Sequence, residues 1–352
     1  MGGERGNSLS TENKELLPPW LLAGGHRQTL WRKFMRKPQL QRQRRRVELD
    51  DGDFLDLDWL YPDEDAGLQT PSVAPTSPDT VVLLIHGLAG SSDSPYILNM
   101  QQALALNGMK SAAINLRSCS GEPNRLVKSY YSGCSEDIEQ VVGQLLDGDN
   151  QVQQVIAVGY SLGANVLVKW LAETRFSDRV VCGISVSNPL RLDVCCASMD
   201  KGLPFWYGRY FLQQLCRDLE EKYRLFQQKG DVAGLAELRA LGDWRQARTL
   251  WEFDDRVTAP MHGFDSARDY YQRCSSRQFI EKVSVPLLIV HAADDPIIPS
   301  SVLPASNEVP ANVQVRLSLT GGHVGFIDRQ QKDWLEQQLI AFITLAQGDA
   351  LV

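Results

Sequence analysis

The run Gly159-Tyr160-Ser161-Leu162-Gly163 constrains this chain more than any other stretch. Before it stands Val155-Ile156-Ala157-Val158, short, apolar and rich in β-branched residues. After it, Ala164-Asn165-Val166-Leu167-Val168-Lys169-Trp170-Leu171 keeps apolar residues on a helical repeat. Strand, sharp turn and helix with a serine at the apex is the context that lifts a reactive hydroxyl above a sheet edge. Glycines two places to either side let strand and helix pass closely without side-chain clash. An ordinary glycine-rich turn fits the bare pattern as well, so the reading needs partners elsewhere.

Those partners follow in order. Val283 to Val290 predicts a buried strand around Pro286, leading into His291-Ala292-Ala293-Asp294-Asp295-Pro296-Ile297-Ile298-Pro299. Val313 to Leu319 alternates like a half-buried strand and leads into Thr320-Gly321-Gly322-His323. Upstream, Thr80 to Ile85 predicts a strand that ends in His86-Gly87-Leu88-Ala89-Gly90. Serine, acid, histidine is the chain order of the α/β-hydrolase fold, in which the loop after that upstream strand gives one oxyanion-hole N–H. The candidate catalytic residues are therefore Ser161 as nucleophile, His323 as general base and Asp295 as the acid behind it. Asp295 is favoured over Asp294 because it stands four residues before Pro299, the Asp-x-x-x-Pro spacing of related hydrolases. The expected oxyanion donors are the backbone N–H groups of Leu88 and Leu162.

Between these marks, strands alternate with helical patterns: Tyr96–Asn107, Lys110–Asn115, Ser135–Leu146, Val155–Tyr160, Ala164–Thr174 and Val180–Ser187. That alternation predicts a mostly parallel, eight-stranded sheet with helices on both faces. A hairpin of Val47–Leu49 with Phe54–Leu60 opens the sheet. From Asn188 to Phe279 the strand pattern stops, and helical stretches at Phe205–Lys229 and Leu235–Leu241 carry many aromatics. The predicted organisation is an N-terminal arm over 1–45, disordered to about residue 15 and irregular from Leu16 to Trp31. A core over 46–187 and 280–352 and a helical cap insert over 188–279 complete it. A Pro/Ser/Thr-rich connection runs from Gly67 to Pro78.

Several segments carry a family resemblance. They are Gly25-His26-Arg27-Gln28-Thr29, Asp51-Gly52-Asp53-Phe54 and Arg117-Ser118-Cys119-Ser120-Gly121-Glu122-Pro123-Asn124-Arg125. Further along come Glu252-Phe253-Asp254-Asp255, His262-Gly263-Phe264, Asp269-Tyr270-Tyr271 and Gly321-Gly322-His323-Val324-Gly325-Phe326. Together they resemble the YheT-type hydrolases, related to EMB8-like proteins. The resemblance implies an α/β-hydrolase with esterase-like activity and leaves the natural substrate open; the expected partner is a small-molecule ester. Some members carry a membrane-spanning segment near the N-terminus; the expectation here is a soluble form.

Composition narrows the rest. A net charge of -7 argues against general nucleic-acid affinity. The basic run Arg42-Gln43-Arg44-Arg45-Arg46 reads as an exposed strand edge or linker rather than a phosphate or lipid patch. Seven cysteines without a C-x-x-C pair fit a reducing compartment, and the cytoplasm is the expected location. No stretch approaches the roughly 18 apolar residues of a membrane span. His26, His86, His262 and His291 read as packing or loop-shaping groups; no His-x-x-x-His pair occurs, so neither metal nor cofactor is expected. The Arg117–Arg125 polar set reads as an internal salt-bridge network, with an anion clamp as the alternative. Asp254 and Asp255 are expected to cap a helix or pin the insert. The predicted function is hydrolysis of carboxylic esters of short to medium acyl chain through an acyl-enzyme on Ser161. A thioesterase, acyltransferase or lipid-ester hydrolase is a variant, and a catalytically silent binding protein is the alternative from another class.

Overall fold

A computed structural model describes residues 15–62, 78–148 and 152–349. The expected N-terminal disorder and nearly all of the Gly67–Pro78 connection lie outside those residues. Eight strands form one sheet in the order β1-β2-β4-β3-β5-β6-β7-β8. They are β1 Gln43–Glu48, β2 Phe54–Leu60, β3 Thr80–Ile85, β4 Ser111–Asn115, β5 Gln154–Tyr160, β6 Val180–Val186, β7 Leu287–Ala292 and β8 Val313–Ser318. The pairings from β4 through β8 are parallel, and β2 runs antiparallel to both β1 and β4. Strands β3 and β7 are buried along their whole length, as a sheet covered on both faces requires.

The helices are α1 Gly25–Phe34, α2 Pro95–Leu106, α3 Ser135–Asp147, α4 Leu162–Glu173, α5 Leu192–Ser198, α6 Phe205–Lys229 and α7 Val232–Ala240. Short helices α8 Leu250–Phe253, α9 Ala259–Met261 and α10 Ala267–Cys274 follow, and α11 Trp334–Asp349 is the last. Two buried clusters lie on opposite faces of the sheet. One joins α3 and α4 to the helices between β6 and β7; the other joins α2 and α11.

Three local expectations need correction. Leu16 to Trp31 is not irregular, since its second half is helix α1. That helix buries Gln28 and Arg32 and exposes Leu30, Trp31 and Phe34, so its apolar periodicity is turned outward. Strand β7 begins after Pro286 rather than around it, because proline offers no N–H to a sheet ladder. Strand β1 starts at Gln43 rather than at Val47, so most of the basic run lies on it as an exposed strand edge, the reading given to that run. There Arg44 and Arg46 stand opposite Asp58 and Asp56. Arg44 donates to Asp58 at 2.8 Å on both oxygens, and Arg46 donates to Asp56 at 2.8 and 3.0 Å. Burial would raise the Asp58 carboxyl, but Arg44, Ser92 and Asn115 outweigh it and hold it down at about 2.

The Arg117–Arg125 segment is an internal network. Arg117 donates to Asp137 at 2.7 and 2.8 Å, to Asp51 at 2.8 Å and to Asp53 at 3.0 Å. Arg125 pairs with Glu48, and Arg46 reaches Glu122 at 2.7 Å. From α6, the buried Lys222 ammonium donates to Asn124 Oδ1 at 2.6 Å, to the Leu126, Val127 and Lys128 carbonyls and to Ser129 Oγ. These bonds tie α6 to the loop after β4.

Candidate active site

Ser161 sits between β5 and α4 with φ 53 and ψ -122, a backbone conformation that side chains rarely adopt. The glycines around it are there for space. A β-carbon at Gly163 would stand 2.8 Å from the Ile85 carbonyl carbon, and one at Gly159 would stand 2.8 Å from Ala164 Cα. The Ser161 N–H is taken by the Val186 carbonyl at 2.9 Å, which locks the turn onto β6.

His323 arrives on the loop after β8. Its Nε2 lies 2.9 Å from Ser161 Oγ, and its Nδ1 lies 2.9 Å from Asp295 Oδ2. Asp295 follows β7, and its other oxygen accepts the N–H groups of Ile297 at 2.8 Å and Ile298 at 3.0 Å. Burial pushes the Asp295 carboxyl up, but facing His323, with His291 and these N–H donors nearby, brings it below the usual carboxylate value. An ionised Asp295 only accepts, so the imidazole proton sits on Nδ1. Nε2 is then left as the acceptor for the Ser161 hydroxyl. Such a chain can carry a proton away from serine as its oxygen attacks a carbonyl carbon.

Asp294 does other work. Its Oδ1 accepts the Gly322 N–H at 2.8 Å and so shapes the loop that holds His323. Helix α1 completes that loop. Thr29 Oγ1 accepts the His323 N–H at 2.8 Å, and Gln28 Oε1 accepts the Ile327 N–H at 2.8 Å. Gly25 is required for this docking, since a β-carbon there would stand 2.8 Å from the Asp294 carbonyl carbon and nearer still to its oxygen. Sequence reasoning singled out the Gly25–Thr29 motif without finding these contacts.

The loop after β3 comes equally close. A β-carbon at Gly87 would stand 2.9 Å from Ser161 Cβ. Tyr96 accepts the Gly87 N–H at 2.9 Å, and Tyr130 accepts the Ala89 N–H at 2.8 Å. Leu88 is thereby pinned on both sides beside the serine, with its own N–H between the two anchored ones. Neither tyrosine was marked by any sequence signal. His86 braces the same loop from below: it accepts the Leu116 N–H on Nε2 at 3.1 Å and donates from Nδ1 to the Gly87 carbonyl at 2.8 Å. Burial brings its pKa down to about 4, against the Gly87 hydrogen bond, so the ring is neutral.

The remaining candidates lie apart from that chain. His291 bonds the Ile298 carbonyl at 3.2 Å, and His262 stacks on Tyr131. His26 bonds Tyr207 of α6 at 3.1 Å, and both line the cavity described next. Asp255 accepts the Ala267 N–H at 2.9 Å, pinning the start of α10. Among the described residues, no group of three or more His, Cys, Asp or Glu side chains could hold a metal ion.

Ser161 lies between two cavities. The larger, about 500 Å³, is lined by His323, Gly87 and Leu88, by Leu30 of α1 and by Trp206, Tyr207, Tyr210 and Phe211 of α6. The smaller, about 100 Å³, reaches Leu162, Cys195, Cys196, Asp254 and Tyr271. Burial raises the Asp254 carboxyl to about 6, although the Thr258 and Tyr271 hydroxyls donate to it at 2.6 Å each. It stands at the head of a single π-helical turn, Asp254–Thr258.

A serine-bearing turn at the carboxyl end of a mostly parallel sheet, with acid and histidine supplied by later loops, defines a class of hydrolase. Residues 80–330 match the model of the alpha/beta hydrolase fold, and the chain belongs to that family as a member of esterase and lipase type. In particular, it is 34% identical over 338 residues to the inferred esterase YheT of Escherichia coli (strain K12), covering 95% of this chain and 94% of that one. It is 31% identical to the embryogenesis-associated protein EMB8 of Picea glauca, over 86% of this chain and 65% of that one. Phospholipase ABHD3 of Mus musculus is 28% identical over 86% of this chain and 70% of its own. Among solved structures, the Pyrococcus furiosus esterase Pf2001 shares the fold with a TM-score of 0.55 at 14% identity, covering 96% of this chain and all of the other.

Proposed function

We propose that the protein hydrolyses carboxylic esters through an acyl-enzyme on Ser161. The observation that carries this reading is the unbroken Ser161–His323–Asp295 chain, with both links 2.9 Å long, opening on a largely apolar cavity. His323 Nε2 takes the serine proton as Oγ attacks the ester carbonyl. The tetrahedral oxyanion forms against the Leu88 and Leu162 N–H groups, each such donor being worth about 3 kcal/mol of barrier. Collapse breaks the ester C–O bond, and the leaving alkoxide takes the proton from His323. Water then repeats the cycle in reverse and frees the acid.

The helices at 188–279 act as a cap: their aromatics wall the larger cavity, whose volume suits a small or medium ester. Thioester cleavage and acyl transfer use the same acyl-enzyme and remain variants of the reading. A silent binding role is disfavoured, because a scaffold has no chemical reason to keep serine, imidazole and carboxylate in hydrogen-bonded line. The cytoplasm is the proposed location, supported by seven free cysteines. A panel of esters of graded acyl length, run beside Ser161→Ala, tests the function. Turnover that peaks at one chain length and vanishes in the variant is expected; a flat, serine-independent profile contradicts it.

A further inference from the structure

Helix α1 is inside out. Its polar Gln28 and Arg32 face the protein, Arg32 paired with the buried Glu336, whereas Leu30, Trp31 and Phe34 are 46%, 53% and 78% exposed. At the approach to α6, Leu203 and Trp206 are 65% and 70% exposed. Leu30, Leu203 and Trp206 also line the larger cavity, so apolar side chains of the wall beside Ser161 are exposed on the protein exterior as well. Water alone does not favour such a face, and an apolar patch bordered by polar groups marks a surface with a partner.

Charge says which partner. The protein carries -7 overall, yet no acidic residue occurs from Trp20 to Lys37, where Arg27, Arg32, Lys33, Arg36 and Lys37 all fall. Arg27, Arg36 and Lys37 are exposed, and none forms an ion pair among the described residues. Tryptophan and phenylalanine exposed on a short helix, with Arg27 near its start and Arg36 and Lys37 just past its end, is the pattern of segments that lie in a lipid headgroup layer. Basic side chains add attraction to anionic lipid within a Debye length.

We propose that α1 and the start of α6 form a docking face for an anionic lipid bilayer. Seated there, the larger cavity opens toward the acyl chains, and an apolar ester enters without crossing bulk water. The proposal extends the ester-hydrolase reading but is tested independently of it.

The full chain carrying Ser161→Ala is sedimented with vesicles of phosphatidylcholine containing about a third phosphatidylglycerol, and with phosphatidylcholine alone. It is expected to partition onto the anionic vesicles and to leave them at about 1 M salt. Adding Trp31→Ser with Phe34→Ser, or Arg36→Glu with Lys37→Glu, should weaken partition by at least about tenfold. In the Ser161 background, both pairs should hydrolyse a water-soluble short-chain ester at the parental rate, which shows that they fold. The proposal is overturned if the parent ignores anionic vesicles or if the Trp31/Phe34 pair binds them as well as the parent. It is equally overturned if light scattering finds a dimer that this pair dissociates, since a second copy then covers the face. Vesicle binding without any ester turnover would uphold the docking face and refute the hydrolase reading alone.

Discussion

At the scale of single residues, the two adjacent aspartates separate cleanly by what each oxygen touches. Asp295 faces the His323 ring, and Asp294 faces the Gly322 backbone. Asp295→Asn would present an amide N–H to Nδ1 and favour the wrong tautomer, so kcat should fall by about 10³–10⁴-fold. Asp294→Asn keeps an acceptor for Gly322 and should cost less than about tenfold; steady-state kinetics on one ester compares the two. Asp254 offers a second residue-scale test. Folded, it keeps its proton to about pH 6 because its carboxyl is desolvated; unfolded, it loses it near pH 4. The stability it contributes is complete below about pH 4 and is lost as pH rises through 6. Urea unfolding should therefore show Asp254→Asn gaining on the wild type, by on the order of 2 kcal/mol, between pH 4 and pH 7.5. An offset between the two that stays constant with pH would contradict this account. Ser161 and His323 are legible in the sequence because glycines bracket them and strands precede them. The Asp295 choice rests on its spacing to Pro299, and backbone turns of the β7 loop decide which carboxylate swings toward the ring.

At the scale of elements, α1 is what sequence reading misses, for a physical reason. Hydrophobic periodicity assumes that apolar residues face inward, and in α1 they face outward. Its role also depends on contacts 294 and 299 residues away in the chain, Thr29 with His323 and Gln28 with Ile327. No local pattern records those. Gly25→Ala should push α1 off the Asp294 carbonyl and loosen the His323 loop. A fall of about 10²-fold in kcat/KM with folding retained is expected, and unchanged kinetics would remove the helix from the account. Helix α6, by contrast, is legible over its full length, Phe205–Lys229, because it is long and strongly periodic. Its Lys222 is not legible as an anchor: only the fold gathers five oxygens around one ammonium. Lys222→Met strands those acceptors and should cost about 3 kcal/mol, read as a lower Tm.

At the scale of the molecule, strand and helix alternation specifies the sheet, and chain order specifies where its functional loops gather. Ends of β3, β5, β7 and β8 that are far apart in sequence meet over one carboxyl edge, as open parallel sheets dictate. The cavities, the tyrosines that pin the β3 loop and the outward face of α1 come from packing between distant segments, which periodicity does not encode. In the proposed function, the whole arrangement renders one hydroxyl, Ser161, nucleophilic among the many serines of the chain. Treatment with a fluorophosphonate, followed by peptide mass mapping of wild type, Ser161→Ala and His323→Ala, measures that directly. The account predicts a single phosphonyl adduct on the Ser161 peptide of the wild type, absent from the first variant and slowed by at least about 10³-fold in the second. An unlabelled wild type, or an adduct on another serine, would contradict it.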